Sequence, residues 1–434
     1  MLNQIITALD IGTSKIFGIT CVAKETGLEA IAANVMNFSE DIVQRGRVTD
    51  IEEVSNSIHT VLRSLKNDSG ENIIKVNIGL GGGHLTGISY PKSITIEPQG
   101  RTISESDIEK VKREIANSVS ASYGADRQIL FTTPQEYIID DTNQTKKPPV
   151  GMHGNSLLLK MHVVTAETNP MKDIETCVKK AGGLVEGFYP HSWAAAESCL
   201  TEEEKKLGCI LIDIGKSTTD LIMFSNNSVL TTDSVGIGSK NIDWDISHIL
   251  HTSELNAEEL KKKYGWANYP NLVQEKSPIL ERQVDIVDLT GKLSRSVSTN
   301  EISHIVYARA SEILTDYVKT KVDQYLLKHS CIAGIVLTGG GARLQGFEHL
   351  AMSVFGLPAR IGIPTGPFNL DSNYQAPNFA SAIGTVMLAS KSIRNLEDSE
   401  WWQKILKTVV HSVQKTKTKS NEFLGRIRNG KTNN

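Results

Sequence analysis

Two stretches, one in each half of this chain, repeat one another, and that repeat limits the folds open to it. Residues 8–18 read Ala-Leu-Asp-Ile-Gly-Thr-Ser-Lys-Ile-Phe-Gly, and residues 211–221 read Leu-Ile-Asp-Ile-Gly-Lys-Ser-Thr-Thr-Asp-Leu. Each is an apolar strand, an Asp-x-Gly turn, small hydroxylated residues and a second apolar strand. A repeated supersecondary unit predicts two similar half-domains. If the halves face each other, their turns converge on one ligand. Gly, Ser and Thr in such turns expose N–H groups and hydroxyls toward an anion. A nucleotide triphosphate suits that geometry.

Asp10 and Asp213 stand at the two strand ends. Carboxylates repel phosphate oxygens, so these two would orient a hydrated magnesium ion or an attacking water instead. Phosphoryl transfer needs such positioning and charge neutralisation more than covalent help. A third glycine turn, Leu337-Thr-Gly-Gly-Gly-Ala-Arg, follows another buried-strand pattern. Bare glycine backbone there lets a base or sugar lie close.

The pattern along the chain predicts how the halves are built. Residues 5–10, 16–22 and 28–36 read as strands joined by tight turns, and Asp50 to Leu65 has the apolar spacing of a helix. Ile74 to Leu80 reads as a strand ending in Gly81-Gly82-Gly83. From 84 to 161 the character changes to a compact α+β insertion. Its strands are Thr86–Glu97, Gln128–Thr133 and Asn155–Val164; its helix starts at Ser104, with Asp107 placed as in a capping box. A helix near 169–181 and a strand at 184–189 resume the first half. The second half opens with Cys209-Ile-Leu-Ile-Asp-Ile. Residues 240–302 are polar and partly helical, interrupted by Pro270 and Pro278. A long helix is predicted over 301–327, and the packed body ends near Ser390.

Charge separates body from tail. From Lys391 onward there are ten Lys/Arg and four Asp/Glu, leaving residues 1–390 at −9 of the chain's net −3. A nucleic-acid binder carries its basic surface on the folded domain, so no such partner is expected. A basic tail instead suits an anionic membrane. Trp401, Trp402, Ile405, Leu406, Val409, Val410 and Val413 form one continuous apolar face of a helix, with Lys404, Lys407 and His411 on or beside the other. A weaker candidate lies at 421–428, around Phe423-Leu-Gly-Arg-Ile-Arg. The first apolar segment, Ile5 to Leu9, is too short for a signal sequence, and no run approaches the roughly 20 apolar residues that span a bilayer. The five cysteines are scattered, as expected of reduced thiols in the cytoplasm. His84, His191, Trp193 and Trp244 are read as packing residues.

The glycine turns together are similar to those of the sugar-kinase, chaperone and actin superfamily. Within it the chain resembles the FtsA family of actin-like bacterial cell division proteins over about residues 5–390. The resemblance rests on the two phosphate-loop stretches, on Pro134-Gln-Glu-Tyr-Ile-Ile-Asp, on Thr201-Glu-Glu-Glu-Lys-Lys-Leu-Gly and on Ala333-Gly-Ile-Val-Leu-Thr-Gly-Gly-Gly. Pro134-Gln-Glu-Tyr lies in the insertion, which kinases and chaperones of the superfamily lack.

The resemblance implies an α/β, ribonuclease H-like duplicated two-lobe fold. Residues 1–83 and 162–204 would form the first lobe core, 84–161 the inserted subdomain, 205–239 and 303–390 the second lobe core. Residues 240–302 would be its small subdomain and 391–434 the membrane-targeting tail. It implies one ATP with Mg2+. Gly12, Thr13, Ser14 and Lys15 would form the first phosphate loop; Gly215, Ser217, Thr218 and Thr219 the second, with Gly238 beside it. Glu258 and Lys261 would hold the ribose and base, and Gly339, Gly340 and Gly341 would close over the nucleoside. Glu197 stands where actins place a residue that orients the attacking water. Lys216 and Ser217 replace glycines usual in the family, and Ser239 replaces another.

By resemblance the protein binds ATP with at most slow hydrolysis and forms filaments or dimers. It would tether the FtsZ tail to the cytoplasmic face of the inner membrane at the division site and recruit later division proteins. The rivals are the related pilus-assembly actin homologue, a small-molecule kinase of the same fold, which has no use for a membrane helix, and a chaperone ATPase, which needs a large C-terminal peptide-binding domain.

Overall fold

The computed structural model describes residues 4–38 and 42–394. They fall into two compact units, one from the residues up to Thr86 together with Lys172–Ser390, the other from Gly87–Met171.

The larger unit opens with strands β1 (Gln4–Ile11), β2 (Lys15–Lys24) and β3 (Gly27–Asn37). A small hairpin of β4 (Val43–Gln44) and β5 (Arg47–Val48), helix α1 (Ile51–Ser69) and strand β6 (Lys75–Leu80) follow. Helix α1 forms where the apolar spacing predicts it. Val54, Ile58, Val61, Leu62 and Leu65 are buried; Asp50 caps the start by accepting the Glu53 N–H at 2.9 Å, and Gly70 closes the end in the left-handed region.

The smaller unit holds β7 (Leu85–Thr95), α2 (Glu105–Tyr123), β8 (Arg127–Ile139), β9 (Asn143–Thr145) and β10 (Ser156–Glu167), with sheet order β7-β10-β8-β9. Ile108, Val111, Ile115 and Val119 of α2 share its core with Tyr137, Leu157, Leu159 and Met161. β8 runs past the predicted end at Thr133, straight through Pro134. The ladder with β10 shifts register between Lys160 and Met161, opposite Pro134, so the residue that lacks an N–H sits at a bulge.

At the start of α2, Asp107 accepts the Ser104 N–H at 2.9 Å and both arms of the Arg101 guanidinium at 2.7 and 2.8 Å. Arg101 first, then the Ser104 donors, hold its carboxyl well below the ordinary value of 3.8 against the cost of burial. A depressed folded value means that the stabilisation is complete above the unfolded carboxyl range and fades as the pH drops through it. Asp107→Asn is expected to destabilise this unit by about 1–3 kcal/mol at pH 7, seen as faster hydrogen exchange in α2. The cost should shrink between pH 4 and pH 2; a constant cost over that interval would contradict the assignment.

The chain returns to the larger unit through α3 (Thr168–Lys180), β11 (Leu184–Pro190), α4 (His191–Cys199) and α5 (Glu202–Leu207). Then come β12 (Cys209–Ile214), β13 (Thr219–Ser225), β14 (Ser228–Val235), α6 (Lys240–Leu250), α7 (Glu254–Tyr264), α8 (Tyr269–Gln274), β15 (Gln283–Val287), β16 (Leu293–Ser298) and α9 (Thr299–Glu312). After α10 (Thr320–Leu326) follow β17 (Gly334–Thr338), α11 (Phe347–Phe355), β18 (Ala359–Ile361) and α12 (Ala380–Arg394). The helix predicted over 301–327 is broken between α9 and α10 by a wider, π-type stretch at Ile313–Lys319. There the Thr315 and Thr320 hydroxyls bond back to the carbonyls of Ser311 and Asp316, at 2.9 and 2.7 Å, a pattern that distorts helices.

The two five-stranded sheets share one plan. Their orders are β11-β6-β1-β2-β3 and β18-β17-β12-β13-β14. In each, a central strand has an antiparallel hairpin partner on one side and a parallel strand on the other. The repeat in the sequence is a repeat of whole sheets. β12 is buried on both faces, as an apolar run beside a parallel neighbour must be. Ile210, Ile212 and Ile214 join the core of α6, α7 and α9, while Cys209 and Leu211 pack with Ala195, Ala196 and Cys199 of α4.

Candidate functional site

The turn after β1 and the turn after β12 are closed by the same bond. The Gly12 N–H donates to the Lys15 carbonyl at 3.0 Å, and the Gly215 N–H to the Thr218 carbonyl at 2.8 Å. The two turns meet: the Thr13 and Ser217 hydroxyls are hydrogen-bonded, and Ser217 Oγ also accepts the Arg45 N–H at 2.9 Å. A cleft of about 810 Å³ opens beside them. Its lining includes Asp10, Gly12, Thr13, Ser14, Lys15, Asp213, Gly215 and Thr218, and further out Glu258, Lys261, Gly339, Gly340 and Gly341. Residues from both halves thus reach one cavity.

The cleft carries both signs of charge. The Lys15 ammonium rests over the Phe379 ring, 3.6 Å from its centre. Burial lowers its pKa to about 8, against the pull of Asp10. Asp213 accepts a hydrogen bond from Ser381 at 2.7 Å; burial, then the neighbouring Asp220, pushes it up to about 7. Asp220 is likewise raised by burial. Lys261 sits 2.7 Å from Asp243 and donates to the Ser239 carbonyl at 3.3 Å. Glu258 pairs with Lys262 at 2.7 Å.

Some expected residues stand elsewhere. Ser217 is held by Thr13 and Arg45 and does not line the cavity. Thr219 lies in β13, its hydroxyl on the Ile237 carbonyl at 2.8 Å. Gly238 packs behind the second turn, where a Cβ would lie 2.7 Å from the carbonyl oxygens of Gly215 and Lys216. Glu197, expected to orient the attacking water, stands apart from the residues that line the cleft. Its carboxylate lies 4.0 Å from the Lys205 ammonium. It sits near the far end of α4, nearly two turns from the end that enters the cleft. Lys216 and Ser239 both line the cavity. The tail residues Trp401 to Val413 lie outside the described residues.

The residue that α4 does deliver is His191, its first, read from sequence as a packing histidine. His191 Nε2 is 3.1 Å from Asp10 Oδ1. Burial alone would lower its pKa; the Asp10 carboxylate, then Asp220 and Asp213, outweigh this and raise it to about 9. Burial also opposes ionisation of Asp10, but His191 and then Lys15 hold its carboxyl below the ordinary range. Asp10 thus faces the His191 imidazole at the wall of the cleft. Among the described residues no three His, Cys, Asp or Glu side chains converge as a metal site. Asp10 and Asp213 both line the cleft, where the two carboxylates could meet the waters of a magnesium ion bound with phosphate. Pro190-His191 at the end of a predicted strand was the one signal that could have marked this residue, since strand ends of both halves face the cleft.

The description "Cell division protein FtsA" matches residues 210–384, and "SHS2 domain inserted in FTSA" matches residues 82–165. The chain is 30% identical over 390 residues to a cell division protein FtsA of Borreliella burgdorferi, covering 89% of this chain and 91% of the relative. It is 29% identical to that of Pseudomonas aeruginosa, covering 89% of each, and 27% identical to that of Escherichia coli K12, covering 91% and 92%. Among solved structures, the PilM-PilN type IV pilus biogenesis complex aligns with TM-score 0.60 at 15% identity over 89% of this chain and 98% of that one. MreB5 of Spiroplasma citri bound to ADP aligns with TM-score 0.52 at 16% identity over 90% and 99%. At those identities the likeness shows the fold alone, which is actin-like with an inserted SHS2 domain.

Proposed function

Because this chain belongs to the FtsA family of cell division proteins, we propose that it binds ATP between its two sheets and tethers FtsZ to the membrane. One observation carries the nucleotide half: two turns closed by the same glycine bond touch through Thr13 and Ser217 beside a common cleft. A polyphosphate there would be gripped from both sheets. Backbone N–H groups of the two turns would take its oxygens, and Lys15 and Lys216 would offset its charge. Glu258 and Lys261 face the ribose side, with Gly339 to Gly341 along the nucleoside. Ligand binding both sheets favours the closed lobes, a population shift toward the polymerising form. With Glu197 turned toward Lys205, this reading assigns at most slow hydrolysis and names no general base.

The tether itself is the amphipathic stretch at 401–413, which places the protein on the cytoplasmic face of the inner membrane. One such helix binds reversibly; a filament displaying many binds far more firmly, because each later helix inserts at high effective concentration. The FtsZ tail would dock on the 240–302 side, and the inserted unit would contact neighbouring subunits and later division proteins.

The full chain is expected to co-sediment with vesicles rich in anionic lipid, and a chain truncated after Asp398 to stay in solution while still capturing an immobilised FtsZ C-terminal peptide. Undiminished sedimentation of the truncated chain would refute the anchor. Failure of either chain to capture the peptide, with and without ATP, would refute the tether.

A further inference from the structure

Serine hydroxyls bridge the two sides of the cleft. Ser217, in the turn after β12, and Ser234 of β14 take part in three hydrogen bonds that cross to the first half of the chain. Ser217 Oγ meets the Thr13 hydroxyl and accepts the Arg45 N–H at 2.9 Å; Ser234 Oγ accepts the Gly82 N–H at 3.0 Å. Arg45 is at the tip of the β4–β5 hairpin, and backbone shape seats it there. Arg45 and Gly46 turn in the left-handed region, at φ 50° and 77°. A Cβ on Gly46 would lie 1.9 Å from the Gly81 carbonyl oxygen, so only glycine lets the tip nest against that backbone. On the other side Gly236, just past β14, faces the Arg45 side chain, where a Cβ would lie 3.1 Å from Arg45 Cδ. The hairpin tip is thus held between the two halves. Thr13 and Ser217 are both buried. A serine hydroxyl has one proton to give and lone pairs to accept with. Ser217 Oγ accepts from Arg45 and can pass its own proton to Thr13, which leaves the Thr13 proton for the cleft that Thr13 lines.

We propose that Ser217 is a clasp between the two sheets: its hydroxyl holds the two turns together in the free protein and aims Thr13 into the cleft, so that ATP meets a site already closed. The proposal rests on the reading of the cleft as a nucleotide site. It makes Ser217 a positioning residue, acting through Thr13. The clasp makes most of the shift toward closed lobes, and ATP completes it.

The test is a distance measurement by pulsed electron paramagnetic resonance on the full chain. Spin labels go on Asn56→Cys of α1 and Leu255→Cys of α7, both exposed positions; the five native cysteines are buried. With Ser217 present, the ligand-free distance should be narrowly distributed and move by less than about 2 Å when ATP and magnesium are added. Ser217→Ala should broaden or lengthen it, and ATP should restore the wild-type value. Ser217→Thr, which keeps the hydroxyl, should behave as wild type. By calorimetry, Ser217→Ala should bind ATP about tenfold more weakly, as one or two buried hydrogen bonds are lost, and Ser217→Thr within about threefold of wild type. A ligand-free distance in Ser217→Ala equal to that of wild type would overturn the clasp while leaving ATP binding intact. A wild-type distance that shortens only on adding ATP would overturn it as well. No ATP binding by the wild type would overturn the nucleotide reading, and the ligand-free distances would still decide whether Ser217 holds the sheets. If Ser217→Ala does not fold, as judged by its thermal melt, Thr13→Val breaks the same bond and is read in the same way.

Discussion

Gly384→Ala is expected to remove most of the stability of the larger unit. Helix α12 crosses α4 so closely that a Cβ at 384 would lie 1.6 Å from the Ala194 carbonyl oxygen and 2.3 Å from its carbon. The obstacle is backbone, so no rotamer change relieves it. Helix α4 cannot retreat, because Ala195, Ala196 and Cys199 are packed on Leu211 and Ile222 of the second sheet. Ordinary overpacking of a core costs about 1–3 kcal/mol; prying two helix backbones apart should exceed that, at roughly 4 kcal/mol or more. A domain has only about 5–15 kcal/mol to lose. The variant should express mainly as insoluble protein, and any soluble fraction should melt many degrees below wild type. A melting temperature within about 2 °C of wild type would show that the helices can separate cheaply. Since Ser381 at the start of α12 holds Asp213, soluble variant should also bind ATP poorly.

The second large effect is on the nucleotide. Lys15→Ala is expected to weaken ATP binding by about 30- to 100-fold, the loss of a charge-assisted contact in a partly buried site. The pH dependence gives a further check. Lys15 in the free protein loses its proton near pH 8, because burial disfavours the ammonium. Bound phosphates would hold that proton on. The complex then carries more protons than the free protein, and affinity must fall as the pH rises through 8. In Lys15→Ala that fall should flatten, and any residual decline near pH 9 belongs to His191. A variant with wild-type affinity and wild-type pH profile would remove Lys15 from the site.

Much of the architecture was legible in the chain. The Asp-x-Gly turns, the stripe of α1 and the Ser104–Asp107 start of α2 are written in neighbouring residues, and the structure has them at those places. The placement least legible in the chain was that of Glu197. Its local setting, a polar residue in an alanine-rich helix, fits a cleft residue as well as a surface one, and only the seating of α4 shows that its first residue enters the cleft. Lys261 was legible as a cleft residue but not as the partner of Asp243, eighteen positions earlier in chain order. The continuation of β8 beyond Thr133 was hidden because proline reads as a strand end unless a bulge receives it.

What the sequence by itself determined is therefore the set of short-range devices: two glycine-closed hairpins, the continuous apolar run that buries β12 on both faces, and the caps that start the helices. Each depends on hydrogen bonds or side-chain spacing within a few residues, which local chemistry specifies. Tertiary structure alone decided that Thr13 would touch Ser217 across 204 positions, and that His191 would come to lie among Asp10, Asp213 and Asp220. Those contacts exist only once two separately built sheets pack through α4 and α12, and the charge each acid carries follows from the burial and the neighbours that packing imposes.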